Sequence, residues 1–189
     1  LSIKSRVHAS DTGTELCAKG GKIEYIRQAG LPEGTSVIVE NLFYNTPARL
    51  KFLKKPGSEA AAISDIVSRL ILARPDISLR YTANGKGIYH SPGSGELLDA
   101  ICAVNGQQMR SHLIPVDYQI NKIRVCGYIG APDITYKTQK NGSLFINQRY
   151  IRSEAIQSAI LRAYGERILR GSFPFYTLHL NMDLSDVDV

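Results

Sequence analysis

The sequence predicts an α+β chain in two parts, and three observations carry that reading. Residues 1–40 are almost entirely strand-like, one long amphipathic helix occupies 58–74, and beyond residue 95 the order is helix, three strands, helix, strand. That order, without regular βα alternation, makes the second part α+β.

Taken in order, "IKSRVHA" alternates at Ile3, Ser5 and Val7. "ELCAKGGKIEYI" is a pair of short runs around Gly20-Gly21, where a tight primed turn needs positive φ. "TSVIVE" is β-branched on both faces, which predicts a strand covered on both sides. Ile63, Ile66, Val67, Leu70 and Ile71 form the stripe of the long helix, with Ser58 as N-cap, Glu59 in its first turn and Pro75 ending it. "DISLRYTANGKGIYH" is a hairpin turning at Asn84-Gly85, and the cluster "SPGSG", residues 91–95, is the expected domain boundary.

Beyond it, "ELLDAICAV" reads as a short helix. "HLIPVDYQI" and "KIRVCGYIG" follow as strands joined near Asn121-Lys122, with Ile123, Val125 and Ile129 on one face of a half-solvated sheet. "APDITYKTQKNG" is a polar loop and "SLFINQ" a strand. Ser153 caps a second helix whose stripe is Ile156, Ala159, Ile160, Ala163 and Tyr164, with Gly165 at C′. "FYTLHLNMDL" closes the order with Leu178, Leu180, Met182 and Leu184 alternating.

Composition bounds the function. The 189 residues are 43% hydrophobic and 21% charged, ordinary for a soluble globular protein, and hold no run of apolar residues fit to span a membrane. Cys17, Cys102 and Cys126 lie far apart with no CxxC spacing, which argues against a disulfide framework or a zinc site and suits a reducing cytosolic setting. His8, His90, His112 and His179 are scattered and pair with no nucleophile in a recognisable arrangement. Asp183, Asp186 and Asp188 alternate with apolar residues as a strand end does, so no metal site is expected. The chain lacks an initiator Met and begins and stops within alternating patterns, so a piece of a longer protein is expected.

The net charge of +6 is unevenly placed. Arg49, Lys51, Lys54 and Lys55 lie between Glu40 and Glu59 with no acid among them; Lys137, Lys140, Arg149 and Arg152 do the same between Asp133 and Glu154. Two acid-free cationic windows point to a polyanionic partner, against the plainer reading of two solvated faces. A Gly34-Thr35 pair at the mouth of a strand can bring a backbone N–H and a hydroxyl to a phosphate, although such pairs are common and Gly13-Thr14 is another. Phe43, Tyr44 and Phe52 read as packing residues and not as stacking platforms.

The run "GTSVIVENLFYNTPARLKFL" resembles, almost residue for residue, the signature of the MutL family of DNA mismatch-repair ATPases. Gly34, Thr35, Leu42, Phe43, Asn45, Pro47, Ala48, Arg49, Lys51, Phe52 and Leu53 occupy the matching positions. "GTELCAKGGKI" looks like the family's upstream hairpin, and "GSLFINQRYIRSEAIQSAI" is similar to its second-domain strand and helix, with Gln148 where the family usually has glycine. "DVDV" looks like the opening of a further family segment, so the resemblance covers essentially the whole chain.

The resemblance implies the distal half of a GHKL-type ATPase α/β sandwich over residues 1–92, followed over 93–189 by a domain like domain 2 of ribosomal protein S5 (a transducer domain), truncated at its C-terminal end. It places Thr35, with Gly34, near the phosphates of ATP, and makes Arg49, Lys51, Lys54, Lys55, Arg149 and Arg152 candidate contacts to double-stranded DNA along one shared groove. Glu154 stands where some members carry a further cation. The implied role is coupling mismatch recognition to strand incision and removal through ATP-dependent conformational change, with a MutS-type recognition protein as partner and a homo- or heterodimeric parent. The parent is expected in the cytoplasm of a bacterium, or in the nucleus of a eukaryote.

In the family, the carboxylate base and the magnesium-holding asparagine sit on a helix that would precede Leu1, and a γ-phosphate lysine would follow Val189. ATP and magnesium are therefore expected of the parent, and neither bound cofactor nor hydrolysis of this piece alone. Many members also carry an endonuclease on a separate C-terminal dimerisation domain. The alternatives are a fragment of another GHKL ATPase, topoisomerase- or Hsp90-like, or a non-enzymatic nucleic-acid-binding module. The run "LFYNTPARLKFL" separates the first reading from those.

Overall fold

The computed structural model describes residues 1–183. They fall into two compact units, Leu1–Glu59 and Ala60 onward.

The first unit is a four-stranded sheet in the order β3-β2-β1-β4, with β1 at Ser2–Arg6, β2 at Gly13–Lys19, β3 at Lys22–Ala29 and β4 at Gly34–Ile38. β2 and β3 are the expected hairpin: Gly20 and Gly21 take φ of 58° and 83°, the left-handed pair that a primed turn demands. Glu15 on β2 is nearly buried and is held between Lys4 and Arg27 at 3.3 and 2.6 Å; the hydrogen bond from Arg27 keeps its carboxyl below the usual range. β4 overturns an expectation. It pairs with β1 alone, at the sheet edge, and all five of its residues are exposed. A β-branched run reports a preference for extended backbone; it does not report which faces find partners. The short helix α1, Pro47–Phe52, follows and buries none of its residues.

Helix α2 spans Pro56–Ala73, so it starts two residues ahead of Ser58, which is not its cap. Pro56 opens the helix, where a missing N–H costs nothing, and the Lys55 carbonyl accepts the N–H of Ser58 at 2.8 Å and of Glu59 at 3.2 Å. Its expected stripe is covered only toward the C-terminus. Ile71, Leu72 and Ala73 are buried and Val67 packs beside them, but Ile63, Ile66 and Leu70 stay about half exposed, at 48%, 58% and 54%. Periodicity identifies the apolar face of a helix, and the tertiary fold decides how much of it is covered.

The second unit continues with the hairpin β5, Ser78–Ala83, and β6, Lys86–Pro92, which turns at Asn84-Gly85 as expected. Helix α3, Leu97–Asn105, packs against β6. Residues 91–95 lie inside this unit, and Ser91 is fully buried. Strands β7, Leu113–Ile120, and β8, Ile123–Gly130, form the next hairpin. The segment read as a loop contains a two-residue strand, β9 at Thr135–Tyr136, and a 3₁₀ turn at Gln139–Asn141. β10 is Gly142–Ile146; β11, Arg149–Ile151, is a strand the sequence reading lacked, formed because Asn147 and Gln148 both adopt positive φ, 46° and 70°. Helix α4, Glu154–Tyr164, is capped as expected: the Ser153 hydroxyl accepts the N–H of Ile156, and Gly165 follows with φ 54°. Ala159 and Ala163, expected in its buried stripe, are exposed, since Ile156, Ile160 and Tyr164 suffice to cover the sheet. β12, Phe173–Pro174, pairs with β9, and β13 is Tyr176–Asn181. Leu184, Asp186 and Asp188 lie outside the described residues.

The main sheet runs β11-β10-β13-β8-β7, with β13 parallel to β10 and antiparallel to β8. Its two faces bury different cores. Phe145 and His179, opposite one another, face Ile71 and Leu72 of α2 and Ile101 of α3, together with Met109 and Phe175. Leu144 and Leu178, also opposite, face Ile156 and Ile160 of α4. β8 and β13 approach so closely that a Cβ at Gly127, φ 138°, would lie 2.1 Å from the Thr177 carbonyl oxygen. The Tyr164 hydroxyl ties α4 to the sheet by donating to the Gly130 carbonyl at 2.5 Å. Among the described residues no helix is long and apolar enough to cross a membrane.

Candidate functional site

Gly34 and Thr35 begin the exposed edge strand of the first unit, paired with Arg6 and Ser5 of β1. The Thr35 and Ser5 hydroxyls share a hydrogen bond at 2.8 Å on the surface. A Cβ built on Gly34 would meet no atom within 4 Å, so the approach to the strand start is open. Such a corner can offer hydroxyl hydrogens to a phosphate and fits that part of a nucleotide. For a magnesium ion no donor set is at hand: among the described residues no three His, Cys, Asp or Glu side chains gather.

The run after β4 is built from tight turns. Asn41 and Phe43 take φ of 51° and 65°, and the N–H groups of Tyr44 and Thr46 close back onto their carbonyls at 3.0 and 2.9 Å. Tyr44 thereby sits over the β2–β3 turn, its hydroxyl 2.8 Å from where a Cβ of Gly20 would be. Pro47 then starts α1, which presents Arg49 and Lys51, with Lys54 and Lys55 just beyond. All four cations are exposed, and none forms an ion pair among the described residues; the Lys54 contact to Glu59 is made by its backbone N–H, at 2.8 Å. Among the described residues Arg49 and Lys51 thus face solvent without an acidic partner, which both the polyanion and the solvated-face readings allow. Phe52, expected as a packing residue, is 85% exposed, whereas Tyr44, 50% exposed, keeps a packing contact at the β2–β3 turn.

In the second unit the β10–β11 turn presents Arg149, exposed and opposite Ile146 at the start of the edge strand β11. Alternation puts Tyr150 on the other side of the strand from Arg149 and Ile151. Tyr150 packs edge-on against Phe145, and its hydroxyl accepts from Arg152 Nε at 3.4 Å, a bond that raises the guanidinium pKa further above its ordinary value. Arg69 of α2 lies over the Tyr150 ring, 4.0 Å from its centroid. Arg69, Lys140, Tyr150, Arg152 and Ser153 line one concavity of about 480 Å³. The structure thus joins Arg152 to Arg69 and Lys140 and leaves Arg149 on the other face of β11. The sequence reading missed Arg69 and Tyr150 as site residues and counted Lys140 only as charge. On the polar flank of an amphipathic helix an arginine carries no sign of what lies beside it in space.

The model of the DNA mismatch repair protein, C-terminal domain, matches residues 101–189. The chain is 41% identical over 187 residues to the DNA mismatch repair protein MutL of Clostridium botulinum strain 657, covering 99% of this chain and 28% of that protein. It is 38% identical over 189 residues to MutL of Geobacter sulfurreducens, covering 100% of this chain and 31% of that one. It therefore spans less than a third of the curated relatives it matches. Among solved structures, the Aquifex aeolicus MutL ATPase domain complexed with ADP superposes with a TM-score of 0.76 at 23% identity, over 96% of this chain and 67% of that chain. The N-terminal domain of a DNA repair protein superposes with a TM-score of 0.81 at 18% identity, over 99% and 60%. The fold is that of the MutL-type GHKL ATPase region, as the signature run around Leu42–Leu53 implies, and the chain belongs to the MutL family of DNA mismatch-repair proteins.

Proposed function

We propose that this chain is the part of a MutL-type protein that joins a nucleotide pocket to a duplex-binding surface, coupling mismatch recognition to strand incision and removal. In this reading residues 1–92 complete the ATP-binding domain and 93–189 form the transducer. Gly34 and Thr35 border the phosphates of ATP; Arg49, Lys51, Lys54, Lys55, Arg149 and Arg152 contact the DNA backbone. The whole protein binds ATP and magnesium, dimerises, works with a MutS-type partner, and acts where the chromosome is, in the bacterial cytoplasm.

The observation that carries the reading is that Arg49, Lys51, Lys54 and Lys55, on and just beyond a helix that buries nothing, are exposed and form no ion pair among the described residues, in a chain about 40% identical to MutL proteins throughout. Cations without acidic partners are free to neutralise phosphates, and the resulting affinity is salt-dependent and blind to sequence. A salt titration of duplex binding tests it. Lys54→Glu and Arg149→Glu should each weaken binding and flatten the salt dependence by about one phosphate contact. Binding untouched by both reversals would remove the assignment of these cations to DNA.

A further inference from the structure

We propose that Arg69, Lys140 and Arg152 form one phosphodiester-binding subsite on the second unit, with Tyr150 as its floor and Asp65 as an internal competitor for its arginines. The proposal rests on the duplex-binding reading above and deepens it by adding two residues, a geometry and an acidic counterweight.

Three features make this place a site and not a chance cluster of charge. Arg69 is held in place: its guanidinium carbon lies over the Tyr150 ring, 4.0 Å from the centroid, and three-quarters of its side chain is covered, leaving 24% exposed. A stacked guanidinium keeps its edge N–H groups directed outward while its face is occupied, the geometry that suits two oxygens of a phosphate. Arg152 is fixed to the same ring through the tyrosine hydroxyl at 3.4 Å, and Lys140 lines the same concavity from the 3₁₀ turn before β10. The cavity also opens on the start of α4, where the Ser153 hydroxyl caps the Ile156 N–H and Glu154 adds an acid to the lining. Two arginines held at one ring, with an exposed lysine lining the same hollow, suit a single backbone phosphate of a duplex.

Asp65 supplies the counterweight. Its carboxylate pairs with Arg69 at 2.5 Å, one helical turn away, and its charge also acts on Arg152. An incoming phosphate has to draw Arg69 off Asp65, so the acid weakens the site and makes occupancy depend on a high local phosphate density. A duplex provides that density and free phosphate does not. Arg69 comes from the helix preceding the expected boundary at residue 92, and Lys140 and Arg152 from beyond it. A bound phosphate therefore clamps α2 to the β10–β11 hairpin.

Fluorescence anisotropy of a labelled duplex with the 189-residue chain tests the subsite. Lys140→Met, on an exposed side chain that leaves the fold alone, should weaken binding about threefold to tenfold and reduce the salt slope by about one. Asp65→Asn should do the opposite and tighten binding roughly threefold at low salt. If both variants bind as the parent does while Lys54→Glu and Arg149→Glu weaken binding, the subsite is wrong and the wider duplex reading stands. If none of the four variants changes the isotherm, the duplex reading itself goes, and this subsite with it. A third arm titrates inorganic phosphate by calorimetry. Heat abolished by Lys140→Met, together with duplex binding indifferent to that variant, would assign the hollow to free phosphate and overturn the proposal.

Discussion

The side chain of Asn147 stands in for a strand in pairing Met182. Its Oδ1 accepts the Met182 N–H at 3.1 Å and its Nδ2 donates to the Met182 carbonyl at 3.0 Å, while its own backbone N–H donates to the Leu180 carbonyl at 3.0 Å. The parallel ladder between β10 and β13 ends at the Ile146–Leu180 pair, and one amide side chain extends it by a further step.

Asn147→Ala removes both side-chain bonds and leaves two backbone groups of Met182 unpaired. The cost should be about 1–3 kcal/mol in denaturant unfolding. Amide exchange locates the effect: the Met182 N–H should lose protection while those inside β13 keep theirs. Unchanged protection at Met182 would show that the clamp contributes nothing.

Gln148, next in the same turn, holds φ at 70°, a conformation that disfavours any residue with a Cβ. The resembling family usually has glycine here. Gln148→Gly should therefore stabilise the second unit by about 1 kcal/mol after the entropy of the freer unfolded chain is counted, raising Tm by roughly 2–4 °C. A lower Tm would mean that the glutamine makes a contribution its exposed position does not reveal.

Gly127 carries the opposite prediction. With a Cβ 2.1 Å from the Thr177 carbonyl oxygen, Gly127→Ala must push β8 off β13 at the centre of the sheet. The expected loss is roughly 3 kcal/mol or more, enough to reduce the yield of folded protein. Near-parental stability would show that the two strands separate readily.

His179 gives the second unit an acid sensitivity. It stacks on Phe145 with ring centroids 4.6 Å apart, Nε2 meets the Leu72 carbonyl at 3.1 Å, and burial pushes its pKa below the ordinary value. The unfolded chain then binds the proton more readily than the folded one, so this contribution is complete above about pH 6.5, the unfolded value, and declines as pH falls toward the folded one. Urea midpoints should drop between pH 7.5 and 5.5, and by less in His179→Gln, which keeps a donor for Leu72 but cannot titrate. An equal drop in both would assign the acid sensitivity to other groups.

What the sequence could specify was local. The turns at Gly20-Gly21, Asn84-Gly85 and Asn121-Lys122, the Ser153 cap and the Gly165 terminator appear where those residues dictate, because φ preferences and capping bonds act over three or four residues. The α+β class followed from the same signals, and the family from the chemistry of the Leu42–Leu53 run. The tertiary structure decided what pairs through space. It made β4 an exposed edge, left Ile63, Ile66 and Leu70 half in solvent, and created β11 by folding Arg149–Ile151 back on β10. It alone brought Arg69 over Tyr150, 81 residues along the chain, beside Arg152. Periodicity records which side of an element is apolar, but coverage and convergence depend on neighbours distant in sequence. No local pattern encodes those.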